Sequence, residues 1–316
     1  MHVLVTGAGG FIGGAAVSEL VRRGHRVRAL STRDGHFDPA VECIRVPRWH
    51  GSNLPIDARV LAGVDVVVHL AARAHVVGEV AKNPLQEFRE INVAPTLALA
   101  RLAIAAGTRK MIFASSIGVN GNATVDGPFT ECSESAPIEP YAVSKWEAER
   151  ELDAIARAGG LTVVTVRLPL VYGCGVKGNF LRLLRLIATG LPLPLGAARN
   201  SRNYLGLRNA CDFLAACVEN SAATGLYLIA DAEEVSTAEL VVALAHSMNR
   251  KARLVPVPMA LLNIIAKAAG RSAEVARLTG SLRIDASYAR RALGWRQPLG
   301  LDAGLAEMGR WYSGVA

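Results

Sequence analysis

Short apolar runs alternate with amphipathic stretches through the first half of the chain. The runs predict strands at residues 2–6, 26–30, 44–46, 64–70, 110–114 and 162–167. The stretches between them predict helices at 11–23, at 85–106 with a kink at Pro95, and at 141–158. Strands that alternate with helices indicate an α/β fold, in which helices cover both faces of a parallel sheet.

Prolines and glycines become frequent after Gly173, and the alternation loosens. We therefore expect two units: a sheet domain of residues 1–172 and 203–232, and a smaller C-terminal lobe of residues 173–202 and 233–316. Residues 259–269 are apolar but too short to span a bilayer, and Asn263 and Lys267 interrupt them. This segment predicts a core or groove-lining helix, with contact to a membrane surface as the alternative.

Composition narrows the class of protein. The 316 residues are 51% hydrophobic and carry a net charge of +8, with basic residues scattered rather than clustered. That scatter argues against a nucleic-acid-binding tail, and it suits either an anionic small substrate or a generic basic surface. Five cysteines without C-x-x-C spacing indicate a reduced, cytoplasmic protein without a structural metal. Because a strand begins at His2, we expect no signal peptide and no stable membrane insertion.

A glycine turn joins the first strand to the first helix. Gly7, Gly10 and Gly13 allow a tight turn and close approach of the backbone. The following helix starts at Phe11 and Ile12, and a helix N-terminus is a binding site for a pyrophosphate. In this strand–turn–helix context the spacing predicts a dinucleotide site and makes the sheet a Rossmann-type, doubly wound one.

The end of the second strand bears on the choice between NAD and NADP. NAD-selective folds place an acid there, whereas this strand ends in Ser31, Thr32 and Arg33. Arg33, with Ser31 beside it, is suited to a 2′-phosphate, so the sequence favours NADP over NAD. The alternative is that Arg33 is a solvated loop residue.

Tyr141 and Lys145 provide the candidate chemistry. They are four residues apart on one helix face, and Ser116 lies 25 residues upstream of Tyr141. An ammonium near a phenol lowers the phenol pKa from its usual value of about 10. The serine hydroxyl is suited to hold a substrate oxygen beside the phenol. Together the three residues are suited to proton transfer at an alcohol oxygen during hydride transfer to or from a nicotinamide.

Over its whole length the sequence resembles the extended short-chain dehydrogenases/reductases that act on nucleotide sugars as epimerases, dehydratases and reductases. The resemblance rests on the glycine turn, His69-Leu-Ala-Ala72, Ser115-Ser-Ile-Gly-Val-Asn-Gly121, Tyr141-Ala-Val-Ser-Lys145 and Arg167-Leu-Pro169. It implies that Leu70, Ala71, Ala72, Asn92 and Leu168 contact the cofactor with Tyr141 and Lys145. It also implies substrate contacts from Ser115, Ser116, Asn120, Tyr141, Asn179, Phe180, Arg202 and Arg277.

The departures from that family pattern guide the choice of reaction. UDP-sugar 4-epimerases usually carry tyrosine at the position of Asn120. The stretch around Asn120 looks more like the 4-keto-sugar reductases of lipopolysaccharide and other surface-polysaccharide pathways. We therefore expect reduction of a UDP-4-keto-6-deoxy-HexNAc to a UDP-6-deoxy sugar such as UDP-N-acetylquinovosamine. A UDP-hexose or UDP-HexNAc 4-epimerase is the alternative, and a non-catalytic dinucleotide sensor is a remote one. The resemblance also implies a homodimer that pairs the helices at 85–106 and 141–158.

Overall fold

A computed structural model of the protein describes residues 1–33, 35, 37–73 and 83–314. Seven parallel strands form the central sheet of this part of the chain, and four short strands lie outside it. The strands are β1 (His2–Thr6), β2 (Arg26–Ser31), β3 (Glu42–Arg45), β4 (Val66–His69), β5 (Lys110–Ser116), β6 (Thr162–Leu168), β7 (Val171–Tyr172), β8 (Arg202–Asn203), β9 (Leu205–Gly206), β10 (Gly225–Leu228) and β11 (Glu234–Val235).

The sheet runs in the order β3-β2-β1-β4-β5-β6-β10, with every neighbouring pair parallel. From β1, the chain first adds β2 and β3 on one side. It then returns to the other side of β1 and adds β4, β5, β6 and β10. This is the doubly wound Rossmann-type topology, and it confirms the predicted fold class.

Helices surround the sheet and form most of the C-terminal region. They are α1 (Phe11–Arg22), α2 (Pro84–Phe88), α3 (Ala94–Ala105), α4 (Pro140–Arg157), α5 (Gly178–Ala188), α6 (Leu207–Glu219), α7 (Thr237–Ser247), α8 (Met259–Ala268), α9 (Ser272–Thr279), α10 (Ser287–Leu293) and α11 (Leu301–Tyr312).

The single kinked helix predicted over 85–106 is instead two α-helices, α2 and α3, joined by a π turn at Arg89–Val93. Pro95 lies in the first turn of α3, directly after that π turn. Proline has no N–H to donate to the preceding turn, and the wider π turn accommodates this lack. The irregular turn therefore comes directly before the turn that contains Pro95. π turns of this kind often occur at functional sites.

Both faces of the sheet are buried. Val3 and Val5 contact the layer that contains α1 and α6, whereas Leu4 between them contacts the layer that contains α3 and α4. Successive residues of a strand point to opposite faces, so a strand covered on both sides reads as a continuous apolar run. That is why the sequence located the first six strands of the sheet, whereas the outer strand β10 was not predicted.

A third apolar cluster forms the C-terminal lobe, where α5, α7 and α11 pack around Tyr172, Phe180 and Leu305. Asp231 links three chain segments beside this cluster. Its buried carboxylate accepts hydrogen bonds from the Tyr172 hydroxyl (2.8 Å), the Gly206 N–H (3.0 Å) and the Asn209 amide (2.7 Å). The division into two units at the expected boundaries stays a prediction.

Candidate functional site

The candidate site lies at the carboxyl ends of the central strands. The strand order reverses between β1 and β4, which are neighbours in the sheet. In open α/β sheets, the loops that leave two such strands diverge to opposite faces and create a crevice for ligands. The glycine turn after β1, residues 70–72 after β4, and Ser115 and Ser116 at the end of β5 all lie at this edge.

The glycine turn leaves no space for side chains. Gly7 has a φ of +69°, and a Cβ atom there would lie 2.7 Å from the backbone nitrogen of Ala71. A Cβ atom on Gly13 would lie 2.1 Å from the Gly7 carbonyl oxygen. Both contacts are shorter than real Cβ atoms allow, so only glycine permits this packing of α1 against β1 and β4. The exposed backbone of the turn fits the close approach of a dinucleotide.

The N-terminus of α1 is open to an anion. Gly10 caps the helix without a side-chain hydrogen bond, and its own N–H donates to the Gly7 carbonyl at 2.9 Å. The N–H groups of Phe11, Ile12 and Gly13 lie in the first helical turn, which has no intrahelical acceptors for them. These donors and the positive end of the helix dipole suit a pyrophosphate.

The loop after β2 packs against the same turn. A Cβ atom on Gly9 would lie 2.4 Å from the Ser31 Oγ and 3.9 Å from the Arg33 Cβ, while the Arg33 side chain is exposed. The Ser31 hydroxyl donates to the Arg33 carbonyl (2.7 Å) and accepts from the Arg33 N–H (3.1 Å). Ser31 therefore shapes the loop, and its expected direct contact with the cofactor stays a prediction.

On the other side of the crevice, the structure brings Ser116 to the first turn of α4. A Cβ atom on Gly118 would lie 3.3 Å from both the Ser116 Oγ and the Ala142 Cβ. Ala142 directly follows Tyr141, the second residue of α4, whose ring makes an edge contact with Phe88 (5.9 Å between centroids). Ser116 accepts a hydrogen bond from the Gly118 N–H at 3.1 Å.

Lys145 does not lower the Tyr141 pKa in this structure, contrary to the sequence prediction. Burial raises the pKa of Tyr141 to about 12, so the phenol is protonated at neutral pH. The buried Lys145 ammonium donates to the Ala114 carbonyl at 2.7 Å and lies 4.4 Å from the Phe113 ring centroid. Burial lowers the pKa of Lys145 to about 7, against the opposing effect of Glu149. Desolvation thus outweighs the attraction of Glu149 at Lys145, and desolvation raises the pKa of Tyr141.

A buried ion pair lies behind the candidate catalytic residues. Arg167 binds Glu149 through its Nε (3.1 Å) and a terminal nitrogen (2.6 Å). The same guanidinium donates to the Asn120 carbonyl oxygen (2.9 Å) and the Ser135 hydroxyl (3.0 Å), and the Ser115 hydroxyl donates to Glu149. Ser115 and Asn120 were predicted to bind substrate. Both side chains bind to this network, because buried charges require full hydrogen bonding, and their expected substrate contacts stay predictions.

The sequence reasoning missed Glu149 as part of the site, although two signals pointed to it. Glu149 is four residues after Lys145 and so shares its helix face. Arg167 lies inside the otherwise uncharged strand β6, and a charge in a buried strand needs a partner of opposite sign.

Asn92 supports the crevice from the π turn. Its side-chain amide accepts from the Arg73 N–H (2.8 Å) and donates to the Arg73 carbonyl (3.1 Å) and the Ser144 hydroxyl (3.1 Å). It thereby fixes the chain just after Ala72 relative to α4. Asn92 therefore has a supporting role in this structure, and its expected contact with the cofactor stays a prediction.

His69 is a structural residue of the same region. Its Nδ1 pairs with the Thr6 hydroxyl (2.7 Å) and its Nε2 with the Thr96 hydroxyl (2.8 Å), and Thr96 itself donates to the Asn92 carbonyl (2.6 Å). Thr96 therefore accepts from His69, which requires the neutral tautomer with its proton on Nε2. Complete burial and the nearby Lys145 lower the pKa of His69 to about 3.

We expect the ring nitrogen shifts of His69 in a ¹⁵N NMR titration to stay constant from pH 8 to about pH 4. The unfolded chain takes up this proton near pH 6.5, so His69 removes folding stability as the pH falls between 6.5 and 3. A midpoint above pH 5, or a shift pattern with the proton on Nδ1, would contradict the hydrogen-bond assignment.

The candidate substrate side contains two arginines that the structure brings together. The Arg202 guanidinium donates to the carbonyls of Arg277 (2.6 Å) and Gly280 (2.9 Å), and burial lowers its pKa. No carboxylate of the described residues pairs with Arg202. The Arg277 side chain binds Glu139 (2.5 Å), the residue before α4. Arg202 is thus a partly buried cation near the Tyr141 end of α4, and a phosphate suits such a cation.

Asn179 and Phe180 begin α5 but differ in exposure. Asn179 is exposed, whereas the Phe180 ring is buried against Tyr172 (6.0 Å) and Tyr204 (5.6 Å). The Phe180 side chain belongs to the core of the C-terminal lobe, so the expectation that it contacts substrate is wrong for its ring.

Three of the residues expected to contact the cofactor differ in exposure. Leu168 ends β6 and is buried. Leu70 is partly exposed and Ala72 is exposed after β4.

Comparisons with known proteins agree with this geometry. Residues 3–230 match the model of the NAD dependent epimerase/dehydratase family. A UDP-glucose 4-epimerase of Vibrio cholerae is 37% identical, over 96% of this chain and 93% of its own length. An N-acetyl-alpha-D-glucosaminyl-diphospho-ditrans,octacis-undecaprenol 4-epimerase of Escherichia coli O157:H7 is 27% identical over the same shares of the two chains. The solved structure of MoeE5 in complex with UDP-glucuronic acid and NAD superposes with a TM-score of 0.79, at 26% identity and full coverage of both chains.

Proposed function

Because the chain belongs to the NAD dependent epimerase/dehydratase family, we propose that it is a nicotinamide-dependent oxidoreductase acting at C4 of a UDP-sugar. The observation that carries the proposal is the placement of Ser116 beside the first turn of α4, where Tyr141 lies, across the crevice from the glycine turn. Ser116, Tyr141 and the proposed cofactor cradle thus all lie on elements at the carboxyl edge of the sheet.

The chain's own residues account for the proton transfer. A bound nicotinamide supplies or accepts the hydride at C4. Tyr141 moves the proton of the C4 oxygen, and Ser116 orients that oxygen by a hydrogen bond. The position of Tyr141 in the first turn of α4 stabilises a phenolate after the proton has left, because the N-terminus of a helix favours negative charge. Arg202 holds the diphosphate of the substrate.

Two reactions use this arrangement, and one feature of this chain favours reduction of a 4-keto sugar. Asn120 binds Arg167 at the position where 4-epimerases usually carry tyrosine. The first candidate is therefore a 4-ketoreductase that forms a UDP-6-deoxy sugar such as UDP-N-acetylquinovosamine.

A UDP-hexose or UDP-HexNAc 4-epimerase is the second candidate. The 37% identity to the Vibrio cholerae UDP-glucose 4-epimerase over nearly the whole chain favours it. An epimerase uses the same three residues twice, since it oxidises C4 and then reduces the opposite face of the keto sugar. It therefore needs a cofactor that stays bound, whereas a reductase exchanges its cofactor at every turnover.

One experiment separates these candidates. The protein is incubated with UDP-4-keto-6-deoxy-GlcNAc, UDP-glucose or UDP-GlcNAc, each with NADPH or NADH, and the products are identified by NMR. A reductase consumes one equivalent of reduced cofactor per 6-deoxy product. An epimerase interconverts the C4 stereoisomers without net cofactor use and retains NAD(H) through purification. Conversion of none of these substrates would contradict the proposed function.

Arg33→Ala is expected to weaken NADPH binding by about ten- to hundredfold and to leave NADH binding little changed. A charge-assisted hydrogen bond to a phosphate accounts for a difference of this size. Calorimetric titration of both cofactors against wild type and variant measures it. Equal losses for the two cofactors, or no loss, would make Arg33 a loop residue and favour a resident NAD.

Arg202→Ala is expected to raise KM for the UDP-sugar by about ten- to hundredfold, because it removes a cation from the diphosphate. The nicotinamide cofactor should bind as before. Steady-state kinetics and cofactor titration test both statements, with Arg199→Ala as a nearby control that lines a different cavity. An unchanged KM would remove Arg202 from the site.

A homodimer and a cytoplasmic location stay predictions. Among the described residues, no helix has both the length and the apolar composition that crossing a membrane requires.

A further inference from the structure

Helix α8 carries an apolar surface that no other part of the described chain covers. Leu261, Ile264 and Ile265 are 48%, 66% and 53% exposed, and their spacing places them on one side of the helix. We call these three residues the α8 face. The opposite side of α8, through Leu262 and Ala266, is buried in the C-terminal lobe. The helix is thus apolar on two sides, which a helix that only completes a core does not require.

The α8 face lies within a basic segment of the chain. Residues 249–273 contain five arginines and lysines and no acidic residue, so they supply more than half of the net charge of +8. Lys251, Arg253, Lys267 and Arg271 are exposed, and no carboxylate of the described residues pairs with any of them. Some surface arginines elsewhere in the chain, such as Arg22 and Arg157, do have acidic partners, whereas Arg48 and Arg296 have none among the described residues.

We propose that the α8 face and these four basic residues bind the surface of an anionic lipid bilayer. Exposed aliphatic side chains flanked by lysine and arginine are the composition of interfacial helices, which lie in the plane of the membrane. At ten residues, α8 is about 15 Å long, enough to lie in the interface and too short to span it. A second protein surface would have to provide both an apolar groove and several acidic groups.

The position of α8 connects this surface to the candidate site. Helix α9 packs against α8, and the carbonyl of Arg277 in α9 accepts the hydrogen bond from Arg202. Lipid contact through α8 would therefore hold the substrate side of the crevice near the membrane surface. The membrane-binding proposal itself does not depend on the reaction at C4.

The test is co-sedimentation of the full-length protein with vesicles. Vesicles of equal parts phosphatidylcholine and phosphatidylglycerol should bind wild type, and phosphatidylcholine alone should not. Ile264→Ser/Ile265→Ser and Lys267→Gln/Arg271→Gln should each weaken binding by about tenfold or more. Val125→Ser, which alters an exposed valine elsewhere, and Arg48→Gln/Arg296→Gln are the matched controls and should bind like wild type.

Three results of sedimentation and mass spectrometry would overturn the proposal. The first is no sedimentation with anionic vesicles at low salt, where electrostatic attraction is strongest. The second is unchanged binding of the isoleucine variant, which would reduce the effect to charge alone. The third is a change from dimer to monomer in the isoleucine variant by native mass spectrometry, which would make a second copy the occupant.

Hydrogen exchange of wild type gives an independent measurement. Anionic vesicles should slow exchange in residues 259–271, and unchanged exchange there would contradict the proposal.

Discussion

Tyr141→Phe is expected to lower kcat by at least about 100-fold and to leave binding of the nicotinamide cofactor unchanged. The change removes one hydroxyl and with it the proton that moves to or from the C4 oxygen, and general acid–base catalysis is commonly worth 10² to 10⁴ in rate. The ring and its contact with Phe88 remain, so the first turn of α4 should keep its structure. Single-turnover kinetics with a pre-bound cofactor measure the chemical step directly.

Tyr288→Phe is the matched control for this prediction. Tyr288 is a partly exposed tyrosine that stacks on Tyr227 in the lobe outside the crevice, and its hydroxyl has no part in the proposed reaction. Its loss should leave kcat near the wild-type value. If Tyr141→Phe retained near-normal kcat in a correctly folded protein, Tyr141 would not be the proton donor, and the proposed mechanism would be wrong.

Glu149→Ala is expected to lower the free energy of unfolding by about 3–5 kcal/mol, the largest stability effect proposed for this protein. The variant leaves the Arg167 guanidinium buried without its negative partner, and Ser115 also loses its acceptor. Both side chains of the pair are at most 10% exposed, so water cannot replace the lost interactions. Urea unfolding followed by circular dichroism measures the change.

Two further variants test whether the stability loss in Glu149→Ala comes from leaving a charge buried without a partner, rather than from removing any acidic side chain. Asp153 pairs with Arg157 four residues later on the exposed side of the same helix, so Asp153→Ala should cost less than about 1 kcal/mol. Glu149→Leu/Arg167→Met removes both charges and should recover much of the stability lost in Glu149→Ala. A loss below 1 kcal/mol in Glu149→Ala would show that Arg167 finds another partner or water.

The strands and the glycine turn could be predicted because local sequence determines them. A strand buried on both faces must be apolar throughout, and a turn pressed against Ala71 tolerates only glycine at Gly7. The doubly wound class of the sheet followed from the same pattern, since alternating strands and helices leave few ways to cover both faces, but the order of the strands came only from the structure. The break at 89–93 could not be read in this way, because a π turn has no distinct residue pattern.

The same distinction between local sequence and tertiary contacts applies to the candidate site. By itself, the sequence determined which residues are able to do the chemistry, because the spacing of Tyr141 and Lys145 on a helix follows from helical geometry alone. Only the tertiary structure decided what surrounds each of them. It buried Ser115 and Asn120 in the network of Arg167, turned Lys145 to the Ala114 carbonyl, and kept the Tyr141 phenol protonated. Burial and the pairing of distant charges depend on contacts between residues far apart in the chain, and a linear pattern does not contain those contacts.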